Sequence, residues 1–436
     1  MNLVSSFVEL LQQVAFVMTV PTFTSFVTVL AGWVFARRRT VTGMILAADA
    51  VGTKHHSAYH RVFASARWSL DELGLAVFGL ILPWLEDGSV MLAIDDTLAR
   101  KRGLKVFGVG MHHDPLISTR KVALTNWGHS WVVLGVIVRF PFCPGRSFCL
   151  PILFRLYISK QTVAKQGGRY RTRPELAVEM LGVLCKSHED RRFHAVGDSA
   201  YGGQSVLKHL PANCDLTSRL DLDARLYEAP PKRKLGTKGR PRKRGRRLPT
   251  PRQMLKGRTR RLSLNIYGRR DRSRVTDGVA HVHAVPDRPL RIVAVQPLTG
   301  GRSVQAFYST RHDASAKAVL IGYAMRWSIE EANQNSKTHL GFEEPQNWSR
   351  KAVQRTAPVA MLLHSLIVLW FADEGHRHYK VLHRPWYRGK SHASFADMLA
   401  TLRCQSIREQ VFSMGLSGQG SRKVIEILEH AVRQAA

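Results

Sequence analysis

Cysteine is scarce in this chain and its spacing is uninformative. Five cysteines (Cys143, Cys149, Cys185, Cys214, Cys404) form no CxxC pair among 436 residues, so neither a disulfide framework nor a zinc ribbon is encoded. A reducing compartment is expected. Acidic residues are also in short supply: 32 Asp and Glu face 65 Lys and Arg, a formal charge of +33. Such an excess projects a positive field that concentrates polyanions, nucleic acid first and anionic membrane a weaker second. Uninterrupted apolar runs are few. Residues 7–35 are apolar but broken by Gln12, Gln13 and Pro21 with no basic segment before them, which argues for two packed helices rather than a signal peptide. Residues 359–371 fall short of the roughly 20 residues a bilayer needs and carry His364 and Ser365, so a buried core helix is expected.

What is present is an ordinary core composition, 44% hydrophobic, over a length that suits two or three domains and excludes a mainly disordered chain. Residues 1–85 read as a helical N-terminal domain, with Lys54, His55, His56, His60, Arg61 and Arg67 around Gly52 as a weak helix-turn-helix pattern for DNA contact; a plain solvated face is the alternative. From residue 90 the pattern turns to strands: 89–94, 130–140 and 150–159, then a helix over 174–186 and a short strand over 193–196. That order indicates an α/β sheet with a parallel addition, the first part of a core spanning 86–215. Residues 216–310 form a β-rich insertion with strands expected at 261–267, 279–285, 290–295 and 304–308. It carries a basic loop in which Lys232, Arg233, Lys234, Lys238, Arg240, Arg242, Lys243, Arg244, Arg246 and Arg247 place ten cations in sixteen positions. Like charges with almost no apolar side chain cannot fold alone. Residues 311–375, with one long helix over 315–340, complete the core, and 376–436 form a helical C-terminal region.

Three acidic positions stand out. Asp95 and Asp96 follow an apolar run in Leu-Ala-Ile-Asp-Asp-Thr, and Asp198 follows a strand in Gly-Asp-Ser-Ala-Tyr-Gly-Gly. Carboxylates at strand ends are exposed yet rigidly held, as a metal site requires, although Asp-Asp-Thr is also good turn chemistry. The third is Glu330. Tyr323, Arg326, Glu330 and Lys337 lie at offsets 0, +3, +7 and +14, or about 0°, 300°, 340° and 320° around a helix. They share one face, and Glu331 points elsewhere. A solvated face with an Arg326–Glu330 ion pair is the bland reading, but it needs neither Tyr323 nor Lys337 in register. His112, His113 and Asp114 are expected on a surface loop, since no further ligand stands at a recognised spacing.

The spacing Y-(2)-R-(3)-E-(6)-K, preceded by Ala93-Ile-Asp-Asp-Thr97 and Gly197-Asp-Ser-Ala-Tyr201, resembles that of DDE insertion-sequence transposases, over about residues 90–400. Ser394-Phe-Ala-Asp-Met-Leu399 is similar to that family's C-terminal region. The resemblance implies a ribonuclease H-like catalytic core, with the β insertion between the second Asp and the Glu. It implies a DNA transposase that cuts phosphodiesters at element ends and joins the freed 3′-hydroxyl to target DNA. Asp96 or Asp95, Asp198 and Glu330 would hold two Mg²⁺ or Mn²⁺ ions, and Tyr323, Arg326 and Lys337 would meet end phosphates. Strand alternation aims only one of the adjacent aspartates at the metals; Asp96, directly before Thr97, is preferred, with Asp95 the competitor. Transposon-end and target DNA would be the partners of a homodimer in the bacterial cytoplasm, at the nucleoid, with no membrane or small-molecule substrate. A ribonuclease H-like nuclease without strand transfer, and a catalytically silent domesticated DNA-binding protein, remain the alternatives.

Overall fold

The computed structural model describes residues 2–114, 117–119, 122–231, 242–266, 269–298, 303–381, 389–414 and 419–434. Lys232, Arg233, Lys234, Lys238 and Arg240 lie outside them.

Five helices open the chain: α1 (Ser5–Gln12), α2 (Val20–Phe35), α3 (Val41–Ala47), α4 (His56–Ala64) and α5 (Leu70–Ile81). Their starts follow local chemistry, with Pro21 in the first turn of α2 and the Thr40 and Ser69 side chains accepting backbone N–H groups ahead of α3 and α5. Strands β1 (Val90–Arg100), β2 (Gly110–His113), β3 (Thr125–Arg139) and β4 (Ser147–Tyr157) follow, then α6 (Lys160–Gln166), α7 (Arg173–Ser187), β5 (Phe193–Gly197), α8 (Gln204–Leu207) and β6 (Cys214–Leu220). A capping box between Thr172 and Glu175 starts α7, where the sequence placed a helix. The segment after β6 holds β7 (Leu226–Tyr227), β8 (Arg247–Leu248), α9 (Pro251–Met254), β9 (Arg260–Ile266), β10 (Arg269–Val282), β11 (Val285–Pro297) and β12 (Gln305–Ser309). Helices α10 (Ala316–Met325), α11 (Trp327–Leu340), α12 (Arg350–Trp370), α13 (His376–His378), α14 (Phe395–Ser413) and α15 (Gln419–Gln434) complete it.

All twelve strands belong to one mixed sheet. Its central part runs β4-β3-β1-β5-β6, with β4, β3 and β1 antiparallel in turn, and β1, β5 and β6 mutually parallel. The parallel addition expected from the sequence is therefore present. Beyond β6 the sheet continues through β12, β11 and β10, so the strands of residues 216–310 extend the central sheet instead of standing apart from it.

Four local expectations need correction. Residues 279–285 are not one strand: they straddle the turn between β10 and β11, because Val282 already pairs with Val285. His112 and His113 sit on β2, paired to Asn126 and Thr125 of β3, and His112 is buried rather than on a surface loop. β1 does not end at the aspartates but runs on to Arg100, carried by the longer antiparallel partner β3. The helix over 315–340 is broken at Arg326: the Ser328 hydroxyl donates to the Met325 carbonyl (2.8 Å), and the Ile329 amide turns to the Arg326 carbonyl (3.0 Å).

The N-terminal helices share one apolar core with the sheet and with α12. Trp33 donates its indole N–H to the Leu340 carbonyl at the end of α11 (2.8 Å). Arg355 of α12 donates to the carbonyls of Phe63, Ala66 and Trp68 while its guanidinium lies over the Trp68 ring. Charge-assisted bonds of this kind are stronger than neutral ones. α12, with its continuation to His378, is the one described helix long and apolar enough to cross a membrane, and it is buried inside the protein. The 359–371 run is thus a core helix.

Candidate active site

The register of β1 against β5 brings two acids together. The parallel pairing ends at Ile94 opposite Gly197, so the next residue on each strand, Asp95 and Asp198, follows the last paired position. Asp198 begins a short 3₁₀ turn, accepting the Ala200 amide (2.9 Å), and the Ser218 hydroxyl donates to its carbonyl (2.7 Å). A glycine is required at 202, since a Cβ there would stand 2.3 Å from the Ser218 hydroxyl. Tyr308 fixes this turn by donating to the Gly202 carbonyl (2.7 Å).

Alternation along β1 sends Asp95 and Asp96 to opposite faces. Asp95 faces α11: Arg326 stands 3.8 Å away, and its guanidinium also grips Glu330 at 2.5 Å. Asp96 faces α7, with Arg173 at 3.4 Å and the Tyr201 hydroxyl donating at 3.0 Å. Both carboxyls are pushed up by burial. For Asp95 the push reaches about 7, opposed by Arg326 and helped by the weaker repulsion of Asp96, Glu330 and Asp198. For Asp96, Arg173 and the Tyr201 bond oppose the burial.

Of the helix residues, Glu330 and Arg326 meet Asp95 as the helical phase requires. Tyr323 packs its ring on Phe307 (4.5 Å between centroids) and lies under Arg326. Burial raises its hydroxyl, against Arg326 and Arg219. Lys337 is half-buried, 3.9 Å from Glu343, and burial lowers its ammonium despite the favourable pull of Glu343 and, more weakly, Asp114 and Asp95. Glu331 turns away to Arg146 on the β3–β4 connection, at 2.8 Å. The sequence did not point to Arg173, Arg146 or Glu343; Tyr201, three residues past Asp198, was quoted but given no role.

Among the described residues no three His, Cys, Asp or Glu groups are gathered closely enough to ligate an ion as they stand. The donor chemistry nevertheless suits a hard divalent cation: Asp95, Asp198 and Glu330 offer carboxylate oxygens, and their mutual repulsion is what a cation would relieve. Arg326 supplies part of that positive charge.

Of the basic loop, Arg242, Lys243, Arg244, Arg246 and Arg247 are described. Arg246 pairs with Glu228 at 2.9 Å, Arg244 lies over Tyr227, Arg247 begins β8, and Arg242 and Lys243 are exposed. His55 ahead of α4 and His56 at its first position have ring centroids 4.2 Å apart, while α4 buries Tyr59, Val62 and Phe63 in the core.

The DDE superfamily endonuclease family matches residues 24–278, more than half of the chain, a span that includes Asp95, Asp96 and Asp198 and stops before Glu330. A probable transposase for insertion sequence element IS701 from Microchaete diplosiphon is 28% identical over 174 residues, 38% of this chain and 41% of that protein. The cryo-EM structure of a piggyBac transposase synaptic complex with hairpin DNA is similar over 93% of this chain and 75% of that one. Its TM-score is 0.42 at 11% identity. With three of its four acidic site residues inside the matched span, the chain belongs to the DDE superfamily of endonucleases, and an insertion-sequence transposase is among its relatives.

Proposed function

We propose that this protein is a DNA transposase that cuts phosphodiesters at the ends of its element and joins the freed 3′-hydroxyl to target DNA. The observation that carries the reading is Arg326 joining Asp95 on β1 to Glu330 on α11, with Asp198 following the residue of β5 that pairs beside Asp95. Asp95 takes the role for which Asp96 was preferred on sequence, because only Asp95 shares a face with Glu330. Asp96, gripped by Arg173 and Tyr201, stiffens β1 from behind.

Mg²⁺ or Mn²⁺, two ions held by Asp95, Asp198 and Glu330, would supply charge neutralisation at the scissile phosphate and activation of the attacking oxygen. Arg326 bridges Asp95 and Glu330 without DNA and would exchange these carboxylates for a phosphate when the end is seated. Tyr323 and Lys337 flank it along the same face. In the central sheet, the order β4-β3-β1-β5-β6 with its antiparallel-to-parallel switch supports a ribonuclease H-like core in residues 86–215 and 311–375. The basic loop of residues 232–247 and the helical region 1–85 would neutralise DNA phosphates, and the protein would act as a homodimer on DNA.

Strand transfer is the discriminating test. A pre-cut, labelled element end incubated with the protein, Mg²⁺ and a supercoiled plasmid should become covalently joined to the plasmid. Nicking alone would assign a plain nuclease. Neither cleavage nor joining, with DNA binding intact, would assign a silent DNA-binding protein.

A further inference from the structure

Past the last residue of β1 the chain enters Lys101-Arg-Gly-Leu-Lys105, and this loop is held from two sides. Trp127 donates its indole N–H to the Gly103 carbonyl (3.1 Å) and accepts the Lys101 amide on its own carbonyl (3.0 Å). On the other side the Phe107 amide donates to the Trp348 carbonyl (3.0 Å), and Lys101 donates to the carbonyls of Glu343 (2.8 Å) and Pro345 (2.9 Å). The two segments therefore form one fixed surface. On it Trp348 is 72% exposed and Leu104 81% exposed.

Arg102 and Lys105 stand on either side of Leu104 in the loop, Arg350 and Lys351 follow Trp348 by two and three residues, and all four are exposed. Arg350 also covers the Phe107 ring (5.5 Å), which sets it beside Trp348. The two acids of the 343–351 segment are committed elsewhere: Glu343 accepts the Arg100 amide (3.1 Å) and pairs with Lys337, and Glu344 pairs with Arg39. An outward indole flanked by cations, with the local acids paired to Lys337 and Arg39, is complementary to a phosphate backbone carrying an accessible base face. Paired bases within a duplex show only their edges in the grooves, so the indole finds a face only where a base is unpaired.

We propose that Trp348 and the surrounding Arg102, Leu104, Lys105, Arg350 and Lys351 form a second nucleic-acid subsite that stacks an unpaired base of the DNA being processed. The proposal rests on the reading of DNA as substrate and names the state of that DNA. Five residues of extended strand separate Asp95 from Arg100, about 17 Å at 3.3–3.4 Å per residue, which is about five duplex steps of 3.4 Å. A duplex lying along β1 would place the base stacked here about five steps from the bond that is cut.

The test uses the full chain in metal-free buffer, with fluorescence anisotropy on two labelled DNAs of equal length. One is fully paired, and the other carries three unpaired thymines about six positions from the end. Wild type should prefer the second, and Trp348→Ala should reduce binding to it about tenfold, the loss of one aromatic stack, while changing binding to the paired DNA less than twofold. Trp348→Phe should restore most of the loss. Equal losses on both DNAs, no loss on either, or a Trp348→Ala protein whose oligomeric state changes in sedimentation would overturn the subsite, the last by assigning the surface to a protein interface. Unchanged thermal unfolding of Trp348→Ala confirms that the variant folds. Because no cleavage is read, a wild type that shows this preference yet cuts nothing would sink the transposase reading and leave the subsite standing. A wild type that cuts and joins without the preference would do the reverse.

Discussion

Asp95 and Asp96 are adjacent in the chain, identical in chemistry, and part of one strand, yet they occupy different electrostatic worlds. Asp95 looks toward Arg326 and toward Glu330 on α11, and burial, with repulsion from the other acids of the site, raises its carboxyl to about 7. Asp96 looks toward Arg173 and a buried tyrosine hydroxyl, both of which favour its charge. Burial raises both carboxyls; at Asp95 three acids add repulsion against Arg326, whereas at Asp96 Arg173 and the Tyr201 bond oppose the burial and only Asp198 adds repulsion. Sites that gather like charges are the ones prepared for an external cation or a reacting group, and satisfied ions are the ones that hold structure.

Substitutions at the two positions should separate these roles most sharply. Asp95→Asn and Glu330→Gln should each lower Mg²⁺-dependent cleavage of a labelled element end by a factor of about 10³ or more, the scale on which one strong transition-state interaction acts. End binding without metal should stay near wild type. Asp96→Asn should retain measurable cleavage and show its loss mainly in thermal stability. A dead Asp96→Asn beside an active Asp95→Asn would invert the comparison and return the ligand role to the residue before Thr97.

A second contrast sets the carboxylate site against the basic loop. Duplex binding should weaken steeply with salt, with a logarithmic slope of about −0.9 per phosphate neutralised. Replacing the ten cations of residues 232–247 by serine should flatten that slope, while Asp95→Asn should leave it unchanged. An unchanged slope in the serine variant would assign the loop's charge to something other than DNA.

Stability against pH offers a gentler probe. Folding raises the Asp95 carboxyl from the ordinary range near 4 to about 7, so the folded state binds more protons than the unfolded state between those values. Its contribution to stability therefore falls as pH rises through that window. Divalent cation should reverse the loss, raising the melting temperature more at pH 7.5 than at pH 5, and Asp95→Asn should remove most of that difference. An equal Mg²⁺ effect at both pH values would separate Asp95 from metal binding.

The smallest change is expected at Glu331. Its pair with Arg146 is roughly one-third exposed on both sides, and exposed pairs contribute about 0–1 kcal/mol. Glu331→Gln should keep cleavage within a few fold of wild type. Full loss there, with activity kept in Glu330→Gln, would mean that α11 is rotated by about one residue, or 100°.

The turn of Glu330 toward Asp95 and of Glu331 toward Arg146 follows the helical phase read from the sequence, although of the four residues that carried that phase only Glu330 and Lys337 lie on α11, with Tyr323 on α10 and Arg326 at the break. The break itself was not legible there, since it depends on a single hydroxyl, that of Ser328, reaching back to a carbonyl. β2 was also missed: Gly110–His113 is four residues long with no apolar alternation, and it becomes a strand only because β3 presents an open edge to it. In residues 279–285 the β-branched run hid a turn, because periodicity measures which residues suit a strand and not where the chain reverses.

From residues alone came the expectation of a polyanion partner, through net charge; the α/β class, through the change of period near residue 90; and the face of α11 that carries Glu330, through its spacing. All three are local or additive properties that need no knowledge of what lies opposite. Which aspartate meets Glu330 was decided only by tertiary structure. A strand's alternation separates Asp95 from Asp96 but does not say which side α11 will cover, and that follows from the end of β1–β5 pairing at Ile94 and Gly197 and from the packing of α11 over one face of the sheet.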